Sequence, residues 1–220
     1  MLHFEADLNE LRQRLLAMAS YATAAVRNAV RAVIERDDDL ARQVEAEDTI
    51  LDDFEKGVDE ASLQLLARAP LARDLRFIVV ASKLSNDLER IGDEATAIAR
   101  RAIELNREPQ LKPYLDVPRM SKMVLDMIDD AIGSFVAMDG EKARTVVGRD
   151  REVDLLNKQI HRELTSFIAE DASNITRCLN LMQVSKRLER IGDHATNIAE
   201  EVVYLIEAKD IRHTGAKSAV

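Results

Sequence analysis

The sequence predicts an all-α protein of two tandem, sequence-related three-helix bundles, and three observations predict it. Apolar residues recur at steps of three and four along almost the whole chain. Aromatics make up 4% of the 220 residues, with no Trp, 7 Gly and 4 Pro, a composition that favours long helices over short strands joined by turns. Finally, Leu88-Glu89-Arg90-Ile91-Gly92-Asp93 returns letter for letter as Leu188-Glu189-Arg190-Ile191-Gly192-Asp193, and Ala95-Thr96 and Ile98-Ala99 return as Ala195-Thr196 and Ile198-Ala199. One unit is therefore present twice.

The first helix carries the stripe Leu8, Leu11, Leu15, Met18, Ala22, Ala25, Ala29. Asp37-Asp38-Asp39 interrupts it and supplies an N-cap for a second helix, whose stripe runs Val44, Leu51, Phe54, Val58, Ala61, Leu65 until Pro70. The third helix presents a narrow heptad seam, Leu84, Leu88, Ile91, Ala95, Ile98, Ala102, Leu105, suited to bundle packing. Pro109, Pro113 and Pro118 then mark a linker, since proline removes backbone donors and resists helix. The series repeats: a fourth helix with Met120, Val124, Met127, Ala131, Phe135 and Met138; a turn at Asp139-Gly140; a fifth helix to about Glu170; a turn at 171–174; and a sixth with the seam Val184, Leu188, Ile191, Ala195, Ile198, Val202, Leu205. The expected organisation is a first bundle at 1–107, a linker at 108–118, a second bundle at 119–209 and a tail at 210–220.

A net charge of −9 argues against nucleic acid and anionic lipid as partners, because both are met by concentrated basic surface. No apolar run approaches the roughly 18 residues of a membrane span. One cysteine, Cys178, rules out an intramolecular disulfide, and the acidic stretch Met1 to Asp7 lacks the basic and apolar regions of a leader. A cytoplasmic protein is the expectation. Cys178 and the methionines at helical spacing read as core. No phosphate loop, nucleophile elbow or H-E-x-x-H helix occurs.

The repeated motif sets Glu89 and Asp93, and again Glu189 and Asp193, four residues apart. At 3.6 residues per turn Glu89 and Asp93 lie about 100° and 140° from the Leu88 direction, off the seam. Like charges at that spacing disfavour a helix by a few tenths of a kcal/mol unless a cation compensates. The second helix of each copy adds Asp48 and Asp52, or Asp150 and Asp154. Antiparallel packing would set each Asp pair opposite a Glu/Asp pair, giving four carboxylates per half. Such oxygen-rich pockets suit hard or borderline cations, whereas zinc recruits His or Cys. The competing reading is a solvated charged face copied by duplication. His161 and His194 have no matching histidine in the first copy and read as surface residues. Arg90 and Arg190 suggest pairing within their own helices. Gly92 and Gly192 each cost about 1 kcal/mol relative to alanine inside a helix, which points either to close packing against a neighbour or to ligand access.

Asp87 to Asp93, the run Leu188 to Glu200, Asp74-Leu75-Arg76 and the closing Lys209 to His213 together resemble the PhoU family, over nearly the whole chain. The resemblance implies two three-helix bundles whose E(D)-x-x-x-D signature, here Glu89, Asp93, Glu189 and Asp193, holds divalent or iron-type metal ions in some members. It also implies a homodimeric adaptor without turnover between the ATPase subunit of a phosphate ABC transporter and a phosphate-sensing histidine kinase, restraining the phosphate-starvation response. Two other classes remain at this point. One is a carboxylate-bridged dimetal enzyme, against which the absence of any Glu-x-x-His counts; the other is a purely structural scaffold. The halves are not identical: Asn197 stands where the first copy has Ala97, and Asp74-Leu75-Arg76 has no clear twin near Ile175-Thr176-Arg177.

Overall fold

Six long helices account for most of the described residues: α1 (Leu2–Glu35), α2 (Asp38–Leu66), α3 (Ala72–Asn106), α4 (Asp116–Ala137), α5 (Gly140–Glu170) and α6 (Ile175–Glu207), with a 3-10 turn at Ala172–Asn174 before α6. The computed structural model describes residues 2–68 and 71–212. The stop assigned to Pro70 and the end of the Lys209 to His213 run lie outside them.

Each heptad seam is fully buried, from Leu84 to Leu105 on α3 and from Val184 to Leu205 on α6, because these two helices form the centre of the molecule. α3 packs on α1 and α2, α6 packs on α4 and α5, and α3 and α6 pack on each other as extensively as on their own bundles. Their direction follows from cross-contacts: Arg76 reaches the Leu205 carbonyl, Lys83 meets Glu201, Asp87 meets His194, Glu94 meets Arg187 and Arg101 meets Asn180. Residue numbers fall on α6 as they rise on α3, so the pair is antiparallel. The two repeats are thereby related by a local twofold through the repeated motif. The two bundles share one continuous apolar core, reinforced where α1 touches α4.

The links inside each repeat are also copies. Arg36 and Met138 both adopt a left-handed backbone, with φ of 59° and 52°. The next residues, Asp37 and Asp139, cap the following helix by accepting from Leu40 N at 2.9 Å and Lys142 N at 3.0 Å. Two expectations are corrected here. Met138 is not a core position of α4; as the left-handed C-cap it is turned outward and 43% exposed. Gly140 begins α5 instead of making the turn. The left-handed arginine also has a use: Arg36 donates to the carbonyls of Leu105, Asn106 and Glu108, closing the C-terminus of α3. A third difference concerns the linker, since α4 starts at Asp116 and includes Pro118. Proline is tolerated in a first turn, where its missing N–H would have no intrahelical acceptor.

Candidate cation sites

The carboxylates chosen from the sequence lie within electrostatic reach of one another in two groups, one between α2 and α3 and one between α5 and α6. In the first, Glu89 and Asp93 face Asp48 and Asp52. Burial pushes the Glu89 carboxyl above its ordinary range, and the charges of Asp93, Glu55 and Asp52 push the same way against Arg90. Asp93 is raised by burial, then by Asp48 and Asp52, again with Arg90 opposing. Arg90 lies 3.4 Å from Glu89 and 3.1 Å from Asp93, so the first pair is partly compensated on its own helix. Glu89 Oε2 is nevertheless buried and accepts no hydrogen bond. Thr96 donates to Asp48 at 3.0 Å.

The second group is compensated by lysines in place of the arginine. Asp193 is pushed up to about 6 by burial of its carboxyl, then by the charges of Glu189 and Asp150, with Lys186 acting in the opposite direction. The residue as a whole is exposed, so crowding by other acids accompanies only partial shielding of its carboxyl from water. Asp150 is raised by burial, then by Asp154 and Glu189, while Thr196 opposes. Thr196 faces Asp150 as Thr96 faces Asp48, but its buried hydroxyl does not reach hydrogen-bond geometry. Lys186 pairs with Glu189, and Lys158 stands 4.0 Å from Asp154.

In both groups, burial and neighbouring acids together hold carboxyls above their ordinary range. The donor set, all oxygen, fits a hard divalent ion. Among the described residues no three His, Cys, Asp or Glu side chains converge tightly enough to chelate a metal as they stand.

The two glycines differ. A Cβ at Gly92 would meet Leu51 Cδ1 at 2.2 Å, so α2 approaches α3 closely there, whereas at Gly192 the nearest atom, Val153 Cγ1, is 3.5 Å away. Packing thus accounts for Gly92, and steric need does not account for Gly192.

Three readings change. His194 is not a free surface residue: it sits 2.9 Å from Asp87 across the α3–α6 interface, and Asn197 donates to the same carboxylate at 3.2 Å. His161 is half-buried, with Nε2 shielded and unpartnered. Arg190 leaves its own helix and, with Arg187, pairs with the buried Glu94 at 3.2 and 2.9 Å. Glu55, a further acid of the first group, and Glu94 had escaped notice. Glu55 lies outside the i, i+4 spacing, and Glu94 is replaced by His194 in the copy, so the repeat does not announce either.

A duplicated helical scaffold, without strands among the described residues and with an acidic group beside each repeated motif, defines a class of tandem helical-bundle protein with its symmetry axis in the central helix pair. A family profile described as the PhoU domain matches residues 15–102 and again 117–202. The chain belongs to the PhoU family. It is 43% identical over 216 residues to the phosphate-specific transport system accessory protein PhoU homolog of Pseudomonas putida, covering 97% of this chain and 84% of that one. The crystal structure of PhoU from Pseudomonas aeruginosa superposes with a TM-score of 0.91 at 41% identity, over 94% of this chain and 100% of that one. That of the phosphate transport system regulatory protein PhoU from Streptococcus pneumoniae gives 0.89 at 26% identity, over 94% and 99%.

Proposed function

We propose that this protein regulates phosphate uptake and phosphate-starvation signalling. It acts in the cytoplasm as a negative-regulatory adaptor, a homodimer without turnover, between the ATPase subunit of a phosphate ABC transporter and a phosphate-sensing histidine kinase. The observation that carries the reading is likeness over nearly the whole chain to proteins named as accessory and regulatory parts of phosphate transport. Two physical features support it. No helix among the described residues is long and apolar enough to cross a membrane, so contact with a transporter would run through protein surface. The long polar outer faces and the net charge of −9 would favour basic partner patches and a salt-sensitive encounter.

Within this reading Glu89 and Asp93 with Asp48 and Asp52, and Glu189 and Asp193 with Asp150 and Asp154, hold divalent or iron-type cations. A bound cation would supply the positive charge that lets these acids ionise together and would draw each second helix onto its central helix. The carboxylates orient and neutralise; they transfer nothing.

The test is a deletion strain grown in abundant phosphate, paired with pull-down of the transporter ATPase and the kinase by the full chain. The starvation response should stay on in the deletion strain, and capture should weaken as salt rises. Normal repression together with capture of neither partner would contradict the reading.

A further inference from the structure

A cavity of about 450 Å³ opens at the end of the molecule where α1, the start of α3 and the end of α6 meet, remote from both acidic groups. Its charged lining is unusual for so acidic a chain: Arg12, Arg73 and Arg76 against Glu5 and Asp74. The Arg12 guanidinium lies over the rings of Phe77 at 5.3 Å and Phe135 at 5.9 Å. Among the described residues it has no carboxylate partner, and its buried Nε is unsatisfied. Two aromatic faces hold this cation in place where an ion pair would be expected. Arg76 is fixed through Nε to the Leu205 carbonyl at 3.2 Å, and among the described residues its two terminal nitrogens remain for another acceptor. Arg73 is exposed and meets Asp74 at 3.8 Å, beyond hydrogen-bond range.

The opposite end of the molecule serves as an internal control. There Arg177, one residue beyond the position that the repeat gives to Arg76, donates to Pro109 O at 3.2 Å and Asn174 Oδ1 at 2.6 Å and lies 3.5 Å from Glu108. Lys112 pairs there with Glu163 and approaches Asp116 at 3.7 Å. The cations of that end are consumed by the protein itself. Those of the cavity are not, and Asp74-Leu75-Arg76 is the segment that the duplication failed to copy.

We propose that this cavity binds an organic oxyanion, a phosphate or carboxylate group carried on an apolar body. Arg12 and Arg76 grip the oxyanion, since guanidinium groups match both kinds of oxygen pair geometrically. Leu8, Phe77, Met138 and Ile206 line the space for the body. The volume falls in the range of small-molecule sites and far exceeds what a bare phosphate needs, which is that of a few waters at roughly 30 Å³ each. The inference does not rest on the phosphate-transport reading, because it follows from the arginines and the cavity.

The full chain is titrated separately with phenyl phosphate, benzoate, inorganic phosphate and phenol. Binding is read by calorimetry and by the ring-proton signals of Phe77 and Phe135. Phenyl phosphate or benzoate should move those signals, with the stronger of the two naming the oxyanion; phenol should not, and inorganic phosphate should bind more weakly. Arg12→Met and Arg76→Met should each weaken binding by roughly tenfold or more, the loss expected for a charged hydrogen bond. If Arg12→Met fails to fold, Arg76→Met decides. Ring signals unmoved by either oxyanion, or variants binding as the wild type does, would overturn the site. Equal affinity for inorganic and phenyl phosphate would overturn the apolar body.

Discussion

Thr96 on α3 donates to Asp48 on α2 at 3.0 Å, and its duplicate Thr196 leaves a buried hydroxyl unpartnered beside Asp150. The same two residue types, copied together, thus end in different states in the two halves. Thr96→Val should cost about 1.5–3 kcal/mol, the usual net value of a hydrogen bond to a charged group. Thr196→Val should cost less, because the Thr196 hydroxyl eases the charge of Asp150 without a well-formed hydrogen bond. Denaturant midpoints of the two variants at equal slope would show the difference; equal losses would contradict it.

The glycines of the repeated motif should separate in the same way. Gly192→Ala meets ordinary contact distances and should stabilise by up to about 1 kcal/mol through helix propensity. Gly92→Ala places a methyl 2.2 Å from Leu51 Cδ1, and Leu51 is itself 4% exposed, so displacing it should offset that gain and lower stability. Thermal unfolding of both variants is the check, and a stabilised Gly92→Ala would count against tight packing of α2 on α3.

The acidic groups make the metal-free protein respond to pH in the opposite sense from a salt-bridged acid. Asp193 is raised from 3.8 to about 6, so the folded state holds its proton more firmly than the unfolded chain does. Its favourable contribution is complete below the unfolded value, near 4, and is lost as pH rises through about 6. Glu89, Asp93 and Asp150 shift in the same direction. Asp193→Asn should therefore be more stable than the wild type at about pH 7, with the gap closing as pH falls toward about 4. Unfolding temperatures across that range, with chelator present, would reveal it; a gap independent of pH would remove the cause.

Much of this architecture was legible because it is periodic. The seams of α3 and α6, the caps at Asp37 and the two acidic groups all follow from spacing, which survives duplication intact. What escaped notice depends on the central antiparallel pair, a long-range arrangement that no local pattern encodes. Arg190 looked like a partner for its own helix, yet the α3–α6 contact brings Glu94 to it from 96 residues away. His194 looked like a surface residue until Asp87 was set opposite. Met138 matched the apolar stripe of α4, but the left-handed backbone that lets Asp139 cap α5 turns it outward. The arginine cavity was least legible of all, since Arg12, Arg76 and Leu205 meet only when three helix ends converge.

Metal content tests the paired carboxylates most directly. Protein purified without chelator or affinity metal is analysed for bound ions and then titrated with divalent cations after stripping. Glu89→Gln with Asp93→Asn should lower binding in the first half, and adding Glu189→Gln with Asp193→Asn should abolish it, while helicity stays unchanged because amides keep the shape and remove the charge. Unchanged metal content and affinity in the fourfold variant would leave these acids as a solvated face and contradict the cation sites.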